Sequence, residues 1–422
     1  MKQKELTQLL KEEMKPAFGV TEVGAIALAA ARAYSLVGGE PKKICLTVNG
    51  GMYKNAFSCA IPGTDALGNE MAAALGVLVG NWELGLEVLK YIKEEDVATA
   101  RSLVEKDLVS VKIEDKSEIY ILAQVQTEKG QGTALIRQYH SNFVLLKRNE
   151  EVLYQQERTE TSEETLDFDG LHFSDLFDYA KNVELSEISF LKDMIVMNKE
   201  LAKAGAAGVG LQIKDTLEFF QKKGMIGEDM IYAAQRLTCN AMDARLAGLP
   251  LPAMSIAGSG SHGILCSLPV ISYGEVNKIA EEEVLRALAL SCLVTLYSKH
   301  YSGRLSPLCG CVMGGGSGAA AALVSLMGGT VKEVGDAINL MAANLTGMIC
   351  DGGSIGCSLK ASSGVYASYL SAMLAMRGIG IPENFGIIGS VPEQTVYNIG
   401  RVSAEGMEHM DGTTIAIMKQ KR

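Results

Sequence analysis

The stretches SVKIE (110–114), IYILAQVQTE (119–128), GTALIRQYHSNFVLLKRN (132–149) and EVLYQQ (151–156) alternate apolar and polar residues. That period of two marks half-buried antiparallel strands. EKGQG (128–132) supplies a hairpin turn between two of them. Upstream, KICLTVNGG (43–51) reads as a strand and turn, FSCAIPGTDALGNE (57–70) as a loop and EMAAALGVLVG (70–80) as a helix. On both sides the period changes to that of a helix. MKQKELTQLLKEEMK is amphipathic, Pro16 ends it, and AIALAAARAY (25–34) is a run of strong helix formers. From about 174 the helical runs follow one another: FSDLFDYAKNV, ISFLKDMIVMNKELAKAG, DMIYAAQRLTCNAMDARLAG, AEEEVLRALALSCLVTLYSKHY, GSGAAAALVSLMGG, TVKEVGDAINLMAANLTGMIC and KASSGVYASYLSAMLAMRG. Their many small residues imply close helix packing. The expected class is α+β. Residues 1–40 are expected as helices packed on a C-terminal helical unit, 41–173 as an α+β unit with a mostly antiparallel sheet, and 174–422 as an Ala/Gly-rich helical bundle. The acidic stretch 156–170 is expected as a linker or exposed loop.

The chain has 422 residues, 48% of them hydrophobic, which is enough for large cores. Its net charge of −10, with no basic block, argues against nucleic acid as a partner. The N-terminus has no apolar signal region, and no uncharged apolar run is long enough to span a bilayer. A cytoplasmic enzyme taking a small molecule is expected, without a membrane or nucleic-acid partner, and with a homodimer as its assembly.

Nine cysteines suit a reducing compartment better than a disulfide scaffold. Four of them, Cys309, Cys311, Cys350 and Cys357, lie in two Gly-rich segments, SPLCGCVMGGG (306–316) and GMICDGGSIGCSLK (347–360). Thiolates are soft ligands suited to iron–sulfur clusters, zinc or copper(I). Neither segment has the paired C-x-x-C of a structural zinc site. In a helix Cys309 and Cys311 would diverge by about 200°, so only one would face a shared centre unless the segment is a loop. Asp351 is a turn or cap residue, placed to hold the segment's bend.

AGSGSHG carries Gly258, Gly260 and Gly263 in a G-x-G-x-x-G spacing, but no convincing strand precedes it. A tight loop presenting Ser259, Ser261 and His262 to a ligand is the better reading. Lys54, Asn55, Gly63 and Thr64 lie in a turn-rich stretch suited to holding a carboxylate. His140, at the end of a strand-like run, has the chemistry of a base, a ligand or a core residue.

The chain resembles the L-cysteine desulfidase family, related to the iron–sulfur L-serine dehydratase alpha subunit. GRLSPLCGC (303–311), GMICDGGSIGCSLK and KNAFSCAIPGT (54–64) carry the likeness most specifically, and AGSGSHGI and GMEHMDGTTIAIM (406–418) agree with it. The resemblance implies a 4Fe–4S cluster held by Cys350, Cys357 and either Cys309 or Cys311, with Cys309 matching the spacing better. It implies β-elimination on L-cysteine or a related β-substituted amino acid without pyridoxal phosphate, giving pyruvate, ammonia and, from cysteine, hydrogen sulfide. Glu22, His140 and Lys360 become candidates for acid–base or substrate roles. The chain departs from the family where Gly-Cys-Thr-Glu-Pro becomes Gly19-Val20-Thr21-Glu22-Val23, and where Gly-Ser-His-Thr becomes Gln138-Tyr139-His140-Ser141. Val20 lacks the thiol of the family's residue. A paralogue that keeps the scaffold and binds a cluster or another small molecule without catalysis is the alternative. A nucleotide-binding module, resting on G-x-G-x-x-G alone, is the third reading.

Overall fold

The computed structural model describes residues 2–156 and 168–421, so most of the acidic stretch 156–170 lies outside the described residues. The chain opens with α1 (Lys2–Glu13), β1 (Lys15–Phe18) and α2 (Thr21–Ser35). The central segment runs β2 (Pro41–Asn49), α3 (Gly50–Ala56), α4 (Gly68–Val79), α5 (Glu94–Glu105), β3 (Val109–Glu114), β4 (Tyr120–Thr127), β5 (Gly130–Arg137), β6 (Phe143–Arg148) and β7 (Glu151–Gln155). Then follow α6 (Phe173–Asn182), α7 (Leu185–Ile188), α8 (Leu191–Gly205), α9 (Ile213–Lys222), α10 (Met230–Leu246), β8 (Pro252–Ser255), α11 (Gly260–Val276) and α12 (Glu281–Ser302). The chain closes with α13 (Ser317–Leu326), α14 (Val331–Leu345), α15 (Cys357–Met376), α16 (Pro392–Arg401) and α17 (Met410–Lys419). The class is α+β.

Six strands form one sheet in the order β3-β2-β4-β5-β6-β7. Only β2–β3 is parallel, because α3, α4 and α5 carry the chain back between them; the other neighbours are antiparallel. The alternation sets which face is covered. Ile44, Leu46 and Val48 pair with Val125, Ala123 and Ile121. All six are 0–1% exposed, and they form the apolar face on which helices pack. The residues between them, Cys45, Thr47, Leu122 and Gln124, point to the opposite face, where they are partly exposed. β7, an edge strand, is exposed along its whole length.

Expectation and structure divide over the N-terminal helices. α1 contacts α12, and Thr7 shares a 2.8 Å hydrogen bond with Tyr179 of α6. α2 instead lies on β4, β5 and α4. Its alanines allow this approach. At Gly76 of α4 an added Cβ would sit 2.3 Å from the Ala27 carbonyl oxygen, so a side chain has no room there. One continuous apolar core runs from this layer into the C-terminal helices.

The elements β1, β8 and α3 differ from the sequence reading. Pro16 does not merely end a helix: residues 15–18 form β1, antiparallel to β8. A strand therefore does precede AGSGSHG. It belongs to a two-stranded antiparallel sheet, not to the parallel βαβ unit that a dinucleotide site requires. Residues 50–56, read as a turn, form α3.

Candidate active site

The two cysteine segments are stitched together by backbone. Leu308 and Ile349 form an isolated antiparallel bridge. The Cys309 N–H donates to the Met348 carbonyl at 2.7 Å, and the Cys350 N–H to that of Pro307 at 2.6 Å. Cys309 and Cys350 thus meet although 41 residues separate them. Beyond Cys350 the chain turns through Gly352, whose φ of +95° and whose missing Cβ, 2.4 Å from the Lys54 carbonyl oxygen, both demand glycine. Cys357 then opens α15. Cys311 begins a π-helical turn (311–316) leading into α13. Because Cys309 lies before that turn, the 200° divergence of a regular helix does not apply. All four cysteines line one cavity of about 80 Å³.

Burial pushes the Cys350 thiol up and that of Cys357 up to about 12. Cys309 goes the other way: the Cys311 thiol donates to it and favours its thiolate, while Cys311 is held protonated. Among the described residues no three His, Cys, Asp or Glu side chains converge as a single metal ion requires. A cluster asks for something else, since each thiolate binds its own iron and the ligands stand around a wall. The donor set fits that need: four thiols on one cavity, with Lys299 and Lys360 beside them to balance thiolate charge. Burial draws the Lys299 ammonium down to about 8, against the pull of Cys311, Cys350 and Cys309.

The facing wall carries the groups suited to proton transfer. Glu22, in the first turn of α2, accepts from the Asn55 amide at 2.9 Å. The Asn55 oxygen lies 3.8 Å from the Cys350 sulfur, so Asn55 joins the carboxylate to the thiol wall. His140 is 6% exposed and its Nε2 has no hydrogen-bond partner. Burial lowers its pKa, with Glu22 opposing and Arg304 assisting, so the ring is a neutral imidazole near neutral pH. His262 lies 3.3 Å from the Ile256 carbonyl through Nδ1. A carbonyl only accepts, so Nδ1 carries the proton and Nε2 presents a lone pair toward Gly310. Burial and Lys299 hold that ring well below the usual histidine range. Ser259 and Ser261 line the same wall at the start of α11.

The cavity thus brings together Glu22, Asn55, His140, Ser259, Ser261, His262, Lys360 and the cysteines. Three expected binding residues lie elsewhere. Lys54 is 1% exposed and makes a 2.6 Å ion pair with Asp411 of α17. The Gly63 N–H is taken by the Gly248 carbonyl, and the Thr64 hydroxyl closes its own turn on the Ile61 carbonyl. Lys360 donates to the Ile349 carbonyl at 3.1 Å and pairs with Asp351. Burial works against its charge, but Asp351 and the thiols outweigh burial and keep it an ammonium.

Sequence reasoning missed Arg245, Lys299 and Arg304. The first two are buried charged residues on α10 and α12, and nothing in the local sequence marks them as facing a cavity. Arg304 pairs with Glu13, and its guanidinium lies 4.4 Å from the Tyr139 ring centre. With His140, Gly258 and Leu305 it also borders a second cavity of about 910 Å³ that adjoins the first.

The fold and this cavity define an α+β protein with a small, thiol-walled cavity. The chain belongs to the serine dehydratase alpha chain family, whose model matches residues 83–416. It is also similar over nearly its full length to UPF0597 proteins. One from Clostridium botulinum is 41% identical over 98% of each chain. Another, from Clostridioides difficile, is 38% identical over 97% of this chain and 98% of the relative. A third, from Caldanaerobacter subterraneus, is 37% identical over 99% of this chain and 98% of the relative. No helix among the described residues is long and apolar enough to cross a membrane.

Proposed function

We propose that this protein is a lyase that eliminates the β-substituent of a small α-amino acid, L-cysteine or L-serine being the simplest cases. The carrying observation is the convergence, in a chain of this family, of four thiols with an unpartnered neutral His140 on one small cavity. A 4Fe–4S cluster, when bound by Cys350, Cys357 and Cys309 or Cys311, supplies a Lewis acid for the departing group.

His140 takes the Cα proton at a ring nitrogen, its Nε2 being without a hydrogen-bond partner. The Cα electron pair forms the new double bond as the bond to the β-substituent breaks. The departing group leaves with that bond's electron pair. Glu22, fixed by Asn55, orients the substrate ammonium. Lys360 and Lys299 offset the charge that develops at the thiol wall. The released enamine tautomerises and reacts with water to give pyruvate and ammonia. Lys54, tied to Asp411, holds α3 against α17 and so supports Asn55 without touching the substrate.

A diverged binding paralogue is the second reading, favoured by Val20 at the family's cysteine position. Anaerobically reconstituted protein assayed with L-cysteine, L-serine and other β-substituted amino acids separates the two. Pyruvate formation that disappears in His140→Ala supports the lyase. Full loading with iron and no pyruvate from any of them would leave the binding paralogue standing.

A further inference from the structure

Arg245, at the end of α10, is 2% exposed, yet its Nε and Nη1 have no hydrogen-bond partner. Among the described residues its side chain makes one hydrogen bond, a long 3.5 Å approach of Nη2 to the Thr21 hydroxyl. Asp243, two residues away, does not neutralise it; that carboxylate accepts from the Ser358 hydroxyl at 2.6 Å and the Leu211 N–H at 3.1 Å. Among the described residues no carboxylate pairs with Arg245. A buried guanidinium with free donors is costly unless an anion completes it.

The guanidinium faces the first residue of α11, a helix of 17 residues. A Cβ built on Gly260 would lie 2.4 Å from Nη1 and 2.6 Å from Cζ. Glycine at that position leaves open the space where Arg245 meets the helix N-terminus. The first N–H groups of a helix have no intrahelical acceptor, and the helix dipole favours negative charge there. Two residues earlier, a Cβ on Gly258 would lie 3.2 Å from His140 Nδ1. The loop Gly258–Gly260 therefore runs from the base to the guanidinium.

We infer that Arg245 and the N-terminus of α11 form a carboxylate subsite, which fixes the α-carboxylate of the substrate and leaves its Cα toward His140. The planar fork of arginine suits two-point binding of a carboxylate. The owner of that carboxylate rests on the lyase reading; the subsite itself does not. Glu22 and, after it, the thiol wall are the competing counter-charges for Arg245, and the test below separates them from the subsite.

The test is binding, with no turnover needed. L-alanine, which has no leaving group, and L-alaninamide, which lacks the carboxylate charge, are titrated into the full chain by calorimetry, with and without reconstitution. Wild-type protein is expected to bind L-alanine at least about tenfold more tightly than the amide, in both preparations. Arg245→Gln removes that preference. Gly260→Ala does so as well, because its methyl displaces the guanidinium while Arg245 is retained and a better helix former enters α11. Circular dichroism establishes that both variants are folded. Equal binding of acid and amide by wild type, no binding of either, or a preference intact in folded Arg245→Gln or Gly260→Ala overturns the subsite. A preference lost in the variants, in protein that eliminates nothing, sustains the subsite and overturns the lyase.

Discussion

Val20 is 6% exposed and precedes α2 on the cavity wall, where a Cβ on Gly353 would meet its Cγ1 at 3.3 Å and the Cys59 sulfur at 2.4 Å. Cys59 is already engaged: its thiol donates to the Asn55 carbonyl at 2.6 Å, and burial pushes its pKa well up. It therefore does not replace the family's missing thiol. Val20→Cys conserves volume and sets a thiol at a helix N-terminus, which favours the thiolate. We expect reconstituted Val20→Cys to release sulfide from L-cysteine at least about tenfold faster than wild type, a gain of about 1.4 kcal/mol in the barrier. An unchanged rate would show that Val20 only fills space. The two buried imidazoles give a stability prediction. His140 and His262 both have folded pKa values below the ordinary 6.5. Between those values and 6.5 the unfolded chain binds more protons, so stability rises with pH in that window and is lost as pH falls through it. Each contributes a slope of at most about 1.4 kcal/mol per pH unit. Denaturant unfolding between pH 5 and 7 should show that slope in wild type and a shallower one in His140→Gln/His262→Gln.

The long elements were legible because one period ran through each. The strands of the 110–156 stretch declare themselves by alternation, and α8, α10, α12, α14 and α15 by helical spacing. The four-residue strands β1 and β8 were not, since KPAF and PAMS are too short to show a period and each contains a proline. Through resemblance the sequence also implied that Cys350, Cys357 and either Cys309 or Cys311 belong together. It did not show that the Leu308–Ile349 bridge joins them, because such pairing is tertiary. Arg245 and Lys299 were hidden by the same cause: nothing local says which side of α10 or α12 faces a cavity. Element packing has its own test. At Gly76 the atoms that an added methyl would meet, the O, Cα and C of Ala27, are all backbone and cannot swing aside. Gly76→Ala should destabilise by about 1–3 kcal/mol, despite alanine's better helix propensity. Loss of under about 0.5 kcal/mol in denaturant unfolding would show that α2 and α4 sit farther apart.

On the scale of the molecule, the cavity is where separate parts of the chain close on one another. Glu22 comes from α2, Asn55 from α3, His140 from the turn between β5 and β6, Arg245 from α10, and the thiols from the 309–311 and 350–357 segments. A cluster bound there would tie loops from the helical layer into the core shared with the sheet. Ligands that bind only the folded state stabilise it by mass action, and cluster ligation needs the folded wall. We therefore expect anaerobic reconstitution to load about four irons per chain, with broad absorption near ~400 nm, and to raise the melting temperature. Cys350→Ser and Cys357→Ser should remove the absorption and the added stability together. Cys309→Ser should cost more iron than Cys311→Ser, because the Cys309 N–H is tied to the Met348 carbonyl beside Cys350, whereas Cys311 lies in the π-helical turn that follows. The reverse order would transfer the third ligand to Cys311. A melting temperature that rises equally in wild type and Cys350→Ser would mean that iron binds elsewhere, and the thiol wall would then need another explanation.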